Sequence, residues 1–145
     1  MTQQLPVVAD GVLLRLVLAG ALGLFMGLER EWSHRSAGVR PFSLIALLGA
    51  TFTVLERDLL LVVGAVLVVA MGVALAVRGL IVDDAGLSLT TATSMLVAYG
   101  VGVLVGEGYV RAGVTVAILS ALLLVLKREL HSFAWGLSRD ELRSA

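Results

Sequence analysis

Apolar residues in this chain come in long runs separated by short charged clusters. The first run extends from Val12 to Leu28 and stops at Glu29-Arg30-Glu31. The second, Pro41 to Leu55, stops at Glu56-Arg57-Asp58, and the third, Leu59 to Val82, at Asp83-Asp84. The fourth covers Leu87 to Gly106, and the fifth runs from Tyr109 to Leu126, before Lys127-Arg128-Glu129. A hydrocarbon core needs about 20 consecutive apolar residues, within a range of about 17–25, and four runs meet that length. The pattern predicts an all-α, polytopic membrane protein. Residues 1–126 form a compact bundle of five transmembrane helices, and residues 127–145 form a short cytoplasmic amphipathic tail. In that tail Leu130, Phe133, Trp135 and Leu137 alternate with polar residues, with Trp135 at the headgroup level.

The second run has only fifteen residues, and no Gly or Pro marks the turn after it. Local thinning of the bilayer or oligomerisation accommodates a short span; the competing reading is a re-entrant helix, which would invert the sidedness of everything that follows. The loops discriminate, because Lys and Arg are retained on the cytoplasmic side. Five crossings place Arg30, Arg35, Arg40, Arg78, Lys127, Arg128, Arg139 and Arg143 on one side, and only Arg15, Arg57 and Arg111 on the other. This asymmetry predicts an outside N-terminus and a cytoplasmic C-terminus in the plasma or inner cell membrane. A re-entrant second run would scramble it.

Composition points the same way: 59% of residues are hydrophobic and 15% charged, against roughly 45–50% and about 25% in soluble domains. The excess apolar surface needs lipid to cover it. Without cysteine the chain has neither a disulfide framework nor a thiolate metal site. A formal net charge of zero argues against nucleic acid as a partner. Met1 to Gly11 lacks Lys and Arg, and the first run ends in charges rather than in a small-residue cleavage site. It is expected to stay as an anchor rather than leave as a signal peptide.

Sixteen glycines are many for a helical protein, but in membranes small residues at intervals of four let helix backbones approach closely. Gly20, Gly23 and Gly27 mark such a seam in the first run. Gly102 and Gly106, following Ala98, mark one in the fourth, and Gly64, Ala65 and Gly72 one in the third. Packing within the bundle and packing between chains are both open uses.

Three polar groups are candidates for chemistry. Glu29, Arg30 and Glu31, followed by His34, Arg35, Arg40 and Pro41, form the densest cluster. It reads either as a carboxylate–guanidinium network at a cytoplasmic mouth or as an interfacial collar of ion pairs. Asp83 and Asp84 suit a hard divalent cation such as Mg2+, which keeps several waters and uses one or two carboxylates. Equally, they suit the positive end of the following helix. Thr90, Thr91 and Ser94 lie close to one helical face and line a polar cleft or bond their own backbone. His34 and His131 read as surface or interfacial residues. No span carries a charge near its centre, where ion pathways usually place one. No nucleophile motif, nucleotide loop or zinc pattern is present, so the chain does not read as an enzyme.

Taken together, Arg15-Leu16, Gly20, Gly23, Gly27-Leu28-Glu29-Arg30-Glu31, Gly38-Val39-Arg40 and Leu47-Leu48-Gly49-Ala50 resemble the opening of the MgtC/SapB membrane family. Leu87-Ser88-Leu89-Thr90-Thr91-Ala92 resembles the Gly-Leu-Thr-Thr-Ala lead into that family's fourth helix. The resemblance implies a five-helix inner-membrane module tied to magnesium homeostasis, and in some members to virulence and inhibition of the ATP synthase. Two features depart from the pattern. Ala76-Val77-Arg78-Gly79-Leu80-Ile81 stands where the family has Gly-Phe-Leu-Gly-Ala-Gly, and the soluble cytoplasmic domain of the MgtC type is absent. Both departures resemble the subgroup whose longer members continue into a second membrane domain.

The first functional expectation is divalent-cation transport or homeostasis, with Glu29, Glu31, Asp83 and Asp84 holding the cation or its water shell and Arg30 and Arg40 organising the carboxylates. It calls for a homo-oligomer, a dimer first, in the lipid bilayer, with no cofactor other than Mg2+ as ligand or substrate. The second is a non-transporting regulator whose glycine seams dock on another membrane complex, such as an ATP synthase or a transporter.

Overall fold

Each apolar run is helical in the computed structural model, which describes residues 5–32, 38–82 and 85–144. The helices are α1 (Leu5–Trp32), α2 (Val39–Val54), α3 (Asp58–Ile81), α4 (Ala85–Gly106) and α5 (Val110–Ser144). Asp83, Asp84, His34 and Arg35 lie outside the described residues, as do the side chains before Gly11, from Ala85 to Ser88 and after Leu137. Parts of α1, α3, α4 and α5 are each long and apolar enough to cross a membrane. Their outer faces carry large apolar side chains in the open: Leu59, Val62, Val66, Val73, Leu80 and Ile81 on α3 alone. The buried residues of α3 are Gly64, Val68, Gly72 and Gly79. Small residues point inward and bulky ones outward, the reverse of a water-soluble core, so lipid is the solvent this surface fits.

The central helix is α4, which packs against all four others. Met95, Ala98, Tyr99, Val101 and Val105 are buried on it, and together with Met26, Phe42, Ile45, Val68 and Ala117 they make the core. At 16 residues, α2 rises only about 24 Å, yet it runs from one end of the bundle to the other. Its first residue, Val39, lies beside Gly27 of α1, and Thr53 lies beside Gly106 at the far end of α4. A re-entrant helix would have returned to the end it left, and α2 does not. Its neighbours explain the tolerance for a short helix. Phe42, Ile45, Ala46, Gly49, Ala50 and Thr53 are buried against α1 and α4, so lipid meets little of it.

Close backbone approach sets these contacts. A methyl group on Gly23 would collide with the Phe42 carbonyl and with Ala46, and one on Gly102 would overlap the Ala46 carbonyl. Gly20 faces Leu47, Gly27 faces Val39, and Gly106 faces Thr53 and Ala50. These five seam glycines are therefore filled from within the same chain. Polar bonds also join neighbouring helices, α2 to α1 and α4 to α3. Ser43 donates to the Gly20 carbonyl at 3.0 Å, and Tyr99 to the Leu61 carbonyl at 2.7 Å.

The turn after α2 is made by Glu56 at φ 52°, whose N–H bonds the Thr53 carbonyl. A carboxylate residue here takes the left-handed position that glycine usually fills at a helix end. The turn after α4 uses Gly108 at φ 95°. Its N–H bonds Val105 while that of Tyr109 bonds Leu104, the paired pattern of a Schellman motif. Arg15, midway along α1, closes this end by donating to the Gly106 carbonyl at 3.2 Å, a cation at the negative end of α4.

The segment from Lys127 is not separate from the fifth span: α5 continues without a break through it to Ser144. Lys, Arg and Glu are good helix formers, so the charges that end the apolar run leave the helix intact. Within this extension Trp135 donates to His131 at 3.1 Å, one turn apart, and both are exposed.

Candidate functional site

Successive residues of a helix point about 100° apart, and at the end of α1 that rotation sends three adjacent charges to three neighbours. Arg30 turns inward. It is 2% exposed, and its Nη2 donates to Ser94 Oγ of α4 at 2.6 Å. Ser94 passes the polarity on by donating to the Thr90 carbonyl at 2.7 Å. Glu31 turns toward α2, where its Oε2 accepts the Val39 N–H at 3.3 Å. Gly38, the residue before α2, has no side chain to cap that helix, so the carboxylate of α1 supplies the cap and sits at the positive end of the α2 dipole. Glu29 turns toward α5, where it lines a groove together with Arg128.

The hydroxyls leading into α4 complete the cluster. Thr91 is 1% exposed and Ser94 6%. Thr90 Oγ1 accepts from Lys127 Nζ of α5 at 3.2 Å. The polar face of α4 is therefore a junction, with a guanidinium arriving from α1 and an ammonium from α5. Thr93, on the opposite side, bonds its own Leu89 carbonyl at 2.9 Å and is exposed.

This geometry joins two groups that are separate in the sequence, the Glu29–Glu31 charges and the Thr90–Ser94 hydroxyls. It also divides the carboxylates, since Glu29 and Glu31 leave α1 toward different helices. Arg40 is exposed on the first turn of α2. Among the described residues no three of His, Asp and Glu converge where a metal ion could be held. With two cationic heads bonded to its hydroxyls, the Thr90–Ser94 face repels a divalent cation. Lys127 is the site residue that the sequence reading passed over, having counted it only as a topology signal. The available clue was its position: it follows the apolar run of the fifth span as Glu29 follows that of the first, at the same predicted membrane surface.

Comparison with known proteins adds the following. Residues 16–133 match the MgtC family. The uncharacterized protein slr0014 of Synechocystis sp. is 30% identical over 131 residues, which are 83% of this chain and 54% of that protein. The chain thus spans about half the length of this relative. No solved structure matches the chain.

Proposed function

The chain belongs to the MgtC family, and from that premise we propose that it serves divalent-cation homeostasis, magnesium first, in the cell membrane. In this reading Glu29, Glu31, Asp83 and Asp84 hold the hydrated cation at the charged end of the bundle. Mg2+ keeps much of its water shell and needs only one or two carboxylates at a time, so side chains that diverge, as Glu29 and Glu31 do, can still serve it through water. Arg30 anchors the end of α1 and thereby sets the directions of both glutamates. Arg40 is exposed on the first turn of α2.

The observation that carries this reading is the Arg30–Ser94 bond. It makes a single unit of the two segments that bear the chemistry, and both lie inside the family match. The α1–α2–α4 seams are shut by backbone contact, which supports a cation path or holding site formed between copies, in a homo-oligomer, over one through a single chain. The same closure weighs against the docking alternative in its original form, because the glycine seams are already occupied from within.

The test is growth and cellular magnesium content in a strain stripped of its magnesium uptake systems. Expression of the chain should restore growth at low magnesium, and Glu29→Gln combined with Asp83→Asn and Asp84→Asn should abolish the rescue while the protein stays in the membrane. Rescue that ignores the carboxylates, or growth that ignores magnesium, would refute the proposal.

A further inference from the structure

One long face of α5 stays exposed, and half of it stands where lipid does not reach. Leu119, Leu123, Leu126, Leu130, Phe133 and Leu137 follow one another in alternating steps of four and three, and all six are exposed. That alternation keeps them on one stripe of the helix. At 100° per residue, the stripe lies opposite Ala117 and Ala121, the two residues that α5 buries in the bundle. Lys127, bonded to Thr90 of α4, marks the membrane surface. Because α5 continues unbroken to Ser144, Leu137 stands about 15 Å further along the axis, past a headgroup layer only about 5–7 Å deep. Lipid covers the stripe as far as Leu126. Leu130, Phe133 and Leu137 project into water and need a protein surface to cover them.

We propose that a second copy of this chain covers the stripe, the two α5 helices packing in parallel and in register about a two-fold axis along the membrane normal. The bilayer selects this occupant. Copies inserted the same way carry α5 in the same direction, and a two-fold axis between them sets each stripe residue against its own equivalent. Apolar residues at alternating steps of four and three are the a and d positions of such a seam. The edges of the seam agree. In register, Leu122 opposes Lys127 of the second copy and Glu129 opposes Ala134, so no like charges meet. A tail lying flat on the lipid surface would need a bend near Lys127, and α5 has none. This contact supplies the second copy that the cation reading calls for, but it is read from α5 alone, and its test contains no magnesium readout.

The chain contains no cysteine, so single cysteines can be oxidised in isolated membranes without background. Leu130→Cys, Phe133→Cys and Leu137→Cys lie on the stripe; Ser132→Cys and Trp135→Cys lie away from it and serve as controls. Helix axes about 9–10 Å apart and a Cα radius of about 2.3 Å leave stripe positions about 5 Å from their equivalents and the controls about 13 Å or more. A disulfide spans Cα separations of about 4.4–6.8 Å, so the three stripe variants should crosslink into dimers at least about tenfold faster than the controls. In detergent the full chain should have the mass of two copies. Leu130→Glu combined with Phe133→Glu should have the mass of one, with helix content unchanged because both side chains are exposed. Crosslinking that ignores position or peaks at the controls, a crosslinked product containing a different protein, a full chain that is monomeric, or a glutamate variant that stays dimeric would each overturn the proposal. Each cysteine replaces one exposed side chain beyond the bundle, so the comparison holds even where the double variant fails to assemble.

Discussion

A guanidinium that is 2% exposed in a lipid-embedded bundle must be met by acceptors, since a buried donor left without one costs about 1–3 kcal/mol. Ser94 is the acceptor for Nη2. Ser94→Ala, which changes volume little, should therefore lower unfolding stability in detergent micelles by about 1–2 kcal/mol. The neighbouring Thr93→Ala, which removes an exposed hydroxyl bonded only to its own helix, should change it by less than about 0.5 kcal/mol. Equal effects from the two substitutions would contradict the role given to Ser94. At this scale the sequence was legible in part. It marks Arg30 as a charge just past the first apolar run and Ser94 as a hydroxyl within the fourth, but 64 positions separate them, and nothing local pairs them. The opposite error is built into Glu29 and Glu31. Two carboxylates one residue apart look like a pair on paper, and the helical rotation drives them apart.

Among the elements, α4 depends on where its glycines fall. Gly102 meets the Ala46 backbone so closely that a methyl group would overlap it, whereas Gly100, two residues away on the same helix, has nothing within 4 Å of an added Cβ. Gly102→Ala should push α2 and α4 apart and lower stability by about 2–3 kcal/mol, the range of overpacked cores. Gly100→Ala should be neutral or slightly stabilising, because alanine favours the helix. Thermal unfolding followed by circular dichroism distinguishes the two, and a harmless Gly102→Ala would mean that the seam is looser than described. The spacing of Ala98, Gly102 and Gly106 makes this seam readable in the sequence, because a period of four is a property of the helix itself. The length of α5 was not readable in the same way. Charge marks where hydrocarbon ends, and Lys127-Arg128-Glu129 ends it without ending the helix.

For the whole molecule, the account depends on α2 crossing the bundle despite its 16 residues. That crossing brings Glu31, Arg30, Thr90 and Lys127 to one end and leaves Glu56, Gly108 and Arg15 at the other. The arginine distribution along the loops predicts that the first end is cytoplasmic. Because the chain contains no cysteine, single cysteines introduced one at a time report sidedness without background. The direct measurement is labelling of Glu31→Cys, Glu56→Cys, Glu107→Cys and Lys127→Cys in intact cells with a thiol reagent that does not permeate the membrane. The expected result is that Glu56→Cys and Glu107→Cys react from outside, while Glu31→Cys and Lys127→Cys react only after the membrane is opened. Reaction of Glu56→Cys on the same side as Lys127→Cys would contradict the crossing of α2, and the shared charged end would fall with it.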